Sequence, residues 1–596
     1  MNARILSSGK WFGIAVICLF QFACSPNDLY SNNTELEELY LESFYLDQVF
    51  QSTQTDYSTS VGYLASSIRI FATPEDSSAS IAINGIDASS DGTRIALNEG
   101  SNTINIVVTA GSGDQQTYTL TATRATFADF SQKAYVKSFN TEDGDLFGLS
   151  VAITQDLLAV GAPYEDSNST GINSLTNDDG NAIDSGAVYV YLNYGGYWIP
   201  DAYIKASNTG GGDEFGYSVA LSGTTLAVGA YREDSDTAGI NSTSNDTGND
   251  SGAVYVFVRG DDGYWTQHAY IKPSNPSDED EFGRYIDIDG DTLVVGSRYE
   301  DSNTTGINST PNDNGTNSGA VYVFTRDING QWSQQAYLKA SNTGDNDNFS
   351  IVSLSGDSLA VGAAGENSSS TGVNSTPNDN GTANGAVYVF TREGSSWQQQ
   401  AYIKPSIIQD GLAFGIVDID ENTLVVGAPG DDSESYGINS TYNNTGGAVS
   451  SGSAFVFFRN GSTWDQQSYV KAPLTGTSNS GELFGASVAV DGNSLIIGSP
   501  GERSSIGGIN PVTSDDTLAQ AGAAFVYLRS GDQWQHDLEL KANTPNTVDG
   551  FGIDVDIAGD TIISGVLGEN SNSYGVDDIY NDDGTADNSG AAYLYQ

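Results

Sequence analysis

Two hydrophobic patterns divide this chain. Between residues 36 and 124, apolar and polar positions alternate: Ile104, Ile106 and Val108 in one run, Tyr118, Leu120 and Ala122 in the next. Alternation over short runs, broken by turn residues about every ten positions, predicts strands with one buried face and hence a small β-sandwich. From residue 125 the pattern changes. Runs such as "TLVVG" and "GAVYVF" are continuously apolar, as expected where both faces of a sheet are covered. They join half-apolar runs such as "FGRYIDID" and "WSQQAYLK" in a group of four predicted strands, A to D, and this group recurs.

The recurrence has one period. The phenylalanine of an "FG" word stands at Phe147, Phe215, Phe282, Phe349, Phe414, Phe484 and Phe551. The glycine of a "VGA" word runs from Gly161 to Gly565 and that of "SGA" from Gly186 to Gly590, seven times each. Four strands repeated seven times predict an all-β fold, a seven-bladed β-propeller over residues 125–596. A linear solenoid would show the same period, and the chain ends separate the two. The last repeat stops after strand C at Gln596, without a strand D. Before the first FG lies "FSQKAYVK", which aligns with "WSQQAYLK". Strand 130–137 is therefore expected to complete the last blade, closing the ring and removing its open edges. Six tryptophans (Trp198, Trp265, Trp332, Trp397, Trp464, Trp534) open strand D, a once-per-blade position that predicts packing between blades.

Composition sharpens this picture. Glycine is 69 of 596 residues and proline 14, enough to punctuate turns but not to make a low-complexity chain. Acidic residues number 76 against 22 basic, a formal net charge of −54. That argues against nucleic acid as a partner, which needs a basic footprint. Residues 1–24 have a positive start (Arg4, Lys10) and a 13-residue apolar run ending in Ala23 and Cys24. This predicts a signal peptide, too short for a membrane span. It resembles a lipobox, which implies that Cys24 is lipidated and that membrane contact is through this lipid alone. The location expected is the cell envelope, as an outer-membrane lipoprotein facing the periplasm or the cell surface, or else secretion. Residues 25–35 read as a linker. The other cysteine, Cys18, lies inside the signal, so disulfides and thiolate chemistry are excluded by count.

Residues 36–124 resemble the bacterial cadherin-like β-sandwich domain, carried by "LEELYLESFYLDQVFQSTQTDYSTSV" and "EGSNTINIVVTAGSGDQQTYTLTATR". The repeats resemble FG-GAP repeats, the units of the integrin α-chain propeller and of many bacterial surface proteins. Both words are literal at Phe147–Gly148 with Gly161–Ala162–Pro163, and at Phe414–Gly415 with Gly427–Ala428–Pro429. The resemblance implies a non-catalytic, extracytoplasmic binding or adhesion role, the partner being a surface protein or a glycan. Two alternatives stand beside it: a structural surface or matrix component that self-associates, and a propeller hydrolase or lyase acting on polysaccharide. The two histidines, His268 and His536, sit where other blades carry Gln, Asp or Ser, which leaves histidine-based catalysis short of parts.

The family's calcium loop between strands A and B does not carry over, because those connections ("LSGTT", "IDGDT", "IDENT") are hairpin turns. The acids lie instead in long B–C connections. Glu165, Glu233, Glu300, Glu366, Asp431, Glu502 and Glu569 follow strand B, several with a second acid at Asp166, Asp234, Asp301 and Asp432. A further cluster stands at Asp178, Asp179, Asp246, Asp313, Asp379, Asp582 and Asp583. Antiparallel succession puts B–C and D–A loops on one face of the disc and the short turns on the other. That face is expected to be thickly acidic and to recognise ligand, with these acids as candidate oxygen ligands for Ca2+.

Overall fold

The computed structural model describes residues 31–90, 92–174, 180–473, 481–511, 516–576 and 585–596. The signal peptide, Cys24, Asp178, Asp179, Asp582 and Asp583 lie outside the described residues.

The N-terminal strands form two sheets. One holds Leu36–Leu41, Ser67–Pro74 and Thr93–Ala96; the other is built around the long hairpin Gly100–Thr109 and Gln115–Arg124. Asp56–Val61 runs parallel to the last of these strands. The alternating residues face inward, with Ile104, Ile106, Val108, Tyr118, Leu120 and Ala122 in one buried core.

After this sandwich come, among the described residues, seven sheets built on the predicted four-strand unit, the sixth with a short added strand, Gly508–Ile509. In the third they are Phe282–Asp289, Thr292–Ser297, Ala320–Arg326 and Trp332–Leu338, ordered A-B-C-D and antiparallel. Strand B is buried along its whole length in that sheet and its neighbours, which is why its sequence does not alternate. Each C–D ladder carries a bulge near its middle, as at Val323/Phe324, which adds twist to the outer strand. The A strands of successive sheets touch, and that of the last sheet touches that of the first. The array is therefore a closed β-propeller around an axial channel.

Closure joins the strand after the sandwich to the final strand of the chain. Gln132–Val136 pairs antiparallel with Ala591–Tyr595, Tyr135 facing Tyr593. At the same seam Gly565 packs against Gly148. A Cβ on Gly565 would lie 1.9 Å from the Gly148 carbonyl oxygen, so only glycine lets these two strands approach.

The tryptophans join blades. Trp397, Trp464 and Trp534 are buried and donate their indole N–H to Gln335, Gln400 and Gln467 of the preceding blade at 2.7–2.8 Å. Trp332 donates to His268 Nδ1 at 3.1 Å, and His536 packs on Tyr527. Both histidines thus have structural neighbours that account for them.

The sandwich sits on the A–B turn face. Arg69 pairs with Glu421 at 2.7 Å, and Arg94 with Glu421 and Asp420 at 3.0 and 3.3 Å. The Tyr45 hydroxyl donates to Asp156, that of Tyr63 to Asp537, and the Gly62 amide to Asp560. A cavity of about 1200 Å3 remains between the sandwich and the turns. The face that carries the short turns is thus the one the chain covers with its own domain.

Candidate functional site

The acids that follow strand B do not lie on the loop surface. Glu165 is fully buried, its Oε2 2.6 Å from the ammonium of Lys205, which also donates to Ser185 at 2.8 Å. The hydroxyl of Tyr203 donates to the other carboxylate oxygen at 2.7 Å. The same quartet of acid, strand D lysine, SGA serine and strand D tyrosine is built from Glu233, Lys272, Ser251 and Tyr270, and from Glu300, Lys339, Ser318 and Tyr337. Glu366 pairs with Lys404 at 2.7 Å, with Asn384 in the serine's place. Asp431, one methylene shorter, stands 3.8 Å from Lys471, which turns to Ser451 at 2.6 Å. In the last blade Lys137 crosses the ring seam to Glu569 and Ser589, both at 2.7 Å.

Burial pulls the ammonium of Lys272, Lys339 and Lys404 down from the ordinary lysine range, and the facing carboxylate opposes that shift. The sixth blade departs from the quartet. Lys541 bonds Glu502, but Glu539 replaces the tyrosine, and burial together with the Glu502 charge pushes its carboxyl up to about 7. These acids are spent inside the blades. The signal that could have shown it is that seven of nine lysines keep the same period as the acids.

The second acids organise the loops. Asp166, Asp234, Asp301 and Asp432 each accept a backbone N–H 16 to 18 residues on, from Asp184, Asp250, Asn317 and Ser450. Asp246, Asp313 and Asp379 stand exposed with positive φ near 45°. The D–A loops bury a third set. Asp213, Asp280 and Asp347 accept the amide three residues earlier, and burial raises their carboxyls to about 7, 8 and 7. Among the described residues no group of three or more His, Cys, Asp or Glu converges to hold a metal.

The axial channel was not foreseen as a site. It encloses about 570 Å3, and its wall includes Asp287, Asp418 and Asp556. Each clasps the adjoining A strand: Leu354 N–H donates to Asp287 at 2.6 Å, Val490 to Asp418 at 2.6 Å and Ile153 to Asp556 at 2.8 Å. Enclosure raises Asp287 to about 7 and Asp418 to about 6. At the loop-face mouth stands a cluster of arginine and tyrosine. The Arg284 guanidinium lies over the rings of Tyr217 and Tyr231, at 4.9 and 4.7 Å from their centroids, and pairs with Glu281. Arg232 lies over Tyr231 and pairs with Glu214 at 2.8 Å, its side chain 45% exposed.

The fold and these sites define a closed propeller of repeated four-strand units preceded by a β-sandwich. Comparison with known proteins agrees. Residues 32–125 match the model of the cadherin-like beta sandwich domain. Residues 130–191, 198–257, 265–324 and 332–390 match that of the FG-GAP repeat. The chain therefore carries a cadherin-like domain followed by FG-GAP repeats, an organisation that fits a surface binding or adhesion protein. A curated protein of Evansella cellulosilytica, named "Putative membrane protein", is 31% identical over 132 residues, 21% of this chain. The chain spans only 20% of the length of that relative. A solved structure described as a "putative 6-phosphogluconolactonase" from Bacteroides uniformis aligns with 78% of this chain and 98% of its own. Its TM-score is 0.35 and its identity 10%, a likeness that bears on no chemistry here. Among the described residues no helix is long and apolar enough to cross a membrane, which says nothing of β-barrel spans.

Proposed function

We propose that this is a non-catalytic binding or adhesion protein of the cell envelope, held by a lipid on Cys24 and presenting the loop face of its propeller to a surface glycan or protein. One observation carries this reading. The sandwich, which follows the N-terminal linker, covers the turn face through Arg69, Arg94 and Tyr45. The loop face then points away from the anchor, and its B–C loops are set on rigid blades, where recognition is usually built. Calcium enters this reading only through exposed loop acids such as Asp246, Asp313 and Asp379, with backbone oxygens beside them.

The test is binding of the lipid-free mature chain to an array of surface glycans and envelope proteins, with and without millimolar calcium. Retention of a defined ligand supports the reading. Absence of any ligand, with self-association in light scattering, would favour a structural layer instead.

A further inference from the structure

Four blades carry glycine immediately before the buried acid of the B–C loop: Gly365, Gly430, Gly501 and Gly568. Steric contact explains them, because a Cβ at any of the four would lie 1.9–2.0 Å from a D–A loop carbonyl oxygen. The first three blades break this rule, with Tyr164, Arg232 and Tyr299 at that place, and Tyr231 and Arg298 one step earlier. The second and third of these blades also depart at the start of strand A. Tyr217 and Arg284 follow the FG word where four of the other blades have Leu149, Ile416, Ala486 and Ile553. Both departures meet at the channel mouth, where the rings of Tyr217 and Tyr231 lie 4.4 Å apart under Arg284.

Arginines gather here on a chain that is acidic overall, two of them paired with Glu214 and Glu281. Seven lysines are buried in the blade interiors, and arginines near the ends of the C strands, such as Arg392 and Arg459, lie over Trp397 and Trp464. Arg232, Arg284 and Arg298 instead gather on the face that is otherwise acidic. Arg298 lies over Tyr299 at 4.8 Å, and no ion pair or side-chain hydrogen bond joins its guanidinium to another described residue. It can turn to a ligand, as can the N–H donors of the half-exposed Arg232 guanidinium that its ion pair with Glu214 leaves over. Two residues deeper than Tyr285 on the same strand, the wall turns to carboxyls, beginning with Asp287.

We propose that this three-blade mouth binds an acidic saccharide, one whose sugar rings carry carboxylates. Guanidinium donors at the rim match a carboxylate. Carboxyl acceptors deeper in the channel match sugar hydroxyls, and tyrosine presents both a ring and a hydroxyl to such a ligand. The channel that opens below the mouth, about 570 Å3 in all, admits one or a few rings rather than the surface of a folded protein. The inference rests on the loop face being the recognition face and names the ligand class for it.

The experiment is calorimetric titration of the lipid-free mature chain with a uronate trisaccharide, the neutral trisaccharide of the same linkage, and an oligoglutamate peptide. Expected are binding of the uronate alone, weakened by added salt, and an affinity loss of about tenfold or more in Arg298→Ala. The Arg232→Ala/Arg298→Ala pair should bind no uronate. It loses the partner of buried Glu214 and melts lower, so Arg298→Ala, which breaks no ion pair and should melt at the wild-type temperature, separates lost binding from lost folding. Uronate binding that survives the double variant, preference for the peptide, or no uronate heat at all would overturn the proposal. If the array finds another ligand on the loop face while uronates stay silent, this inference alone falls. If the array finds none, the reading beneath it falls too.

Discussion

The blade interior and the channel mouth use the same chemistry, a cation set against tyrosine and an acid, but they differ in repetition. The interior quartet recurs around the ring with small changes. The mouth cluster occupies three blades, and the others close without it. What every blade repeats answers a need every blade has, here the joining of its outer strand to its B–C loop. What only some blades carry is not demanded by the ring. Position shows the same division: Lys205 and Glu165 are wholly buried, whereas Arg232 is half exposed.

The comparison can be broken most strongly from the interior. Lys404→Ala leaves Glu366 buried without its partner and should cost about 3–5 kcal/mol in urea unfolding. Lys137→Ala removes the equivalent pair at the seam, where Glu569 is 432 residues away in sequence. It should also release the last blade first, so that fluorescence and circular dichroism transitions no longer coincide. Coincident transitions would show that the backbone ladder alone holds the seam.

Next in size is pH. Burial raises Asp213 and Asp347 to about 7 and Asp280 and Glu482 to about 8. The native state keeps these protons well above the pH near 4 at which an unfolded chain releases them. Their contribution to stability is therefore full below that value and is lost as pH rises through 7 to 8. The melting temperature should fall between pH 5 and 9; a flat or rising profile would contradict the assignment.

Single tyrosines give smaller effects. Tyr337→Phe removes the bond to Glu300 and should cost about 1.5 kcal/mol. Glu539→Tyr should do the opposite, restoring the quartet in the sixth blade and adding about 1 kcal/mol. The smallest effect is expected at the mouth, where Arg298→Ala should leave unfolding free energy within about 0.5 kcal/mol of wild type. A large loss there would make the mouth another structural element and erase the contrast.

Much of the fold was legible before any coordinates. The FG, VGA and SGA words set the repeated sheets, and the match of 130–137 to the other D strands placed the closing strand opposite Tyr593. The acids were legible as a pattern but not by location. Glu165 reads as a loop residue, and only the return of strand D brings Lys205 and Tyr203 onto it. The mouth cluster was written as departures from a repeat, Tyr164 and Arg232 where later blades have glycine. Adjacency of blades was needed to see that these departures converge.

The sequence by itself determined the unit, its repetition and the closure of the ring, because strand periodicity and turn residues are local and a missing strand can be counted. Tertiary structure alone decided which charges face water. The pairing of Glu569 with Lys137, the seating of the sandwich on the turns and the crowding of Arg284 onto two tyrosines all join residues far apart in the chain. Burial and charge compensation are properties of the closed ring, and no window of sequence contains them.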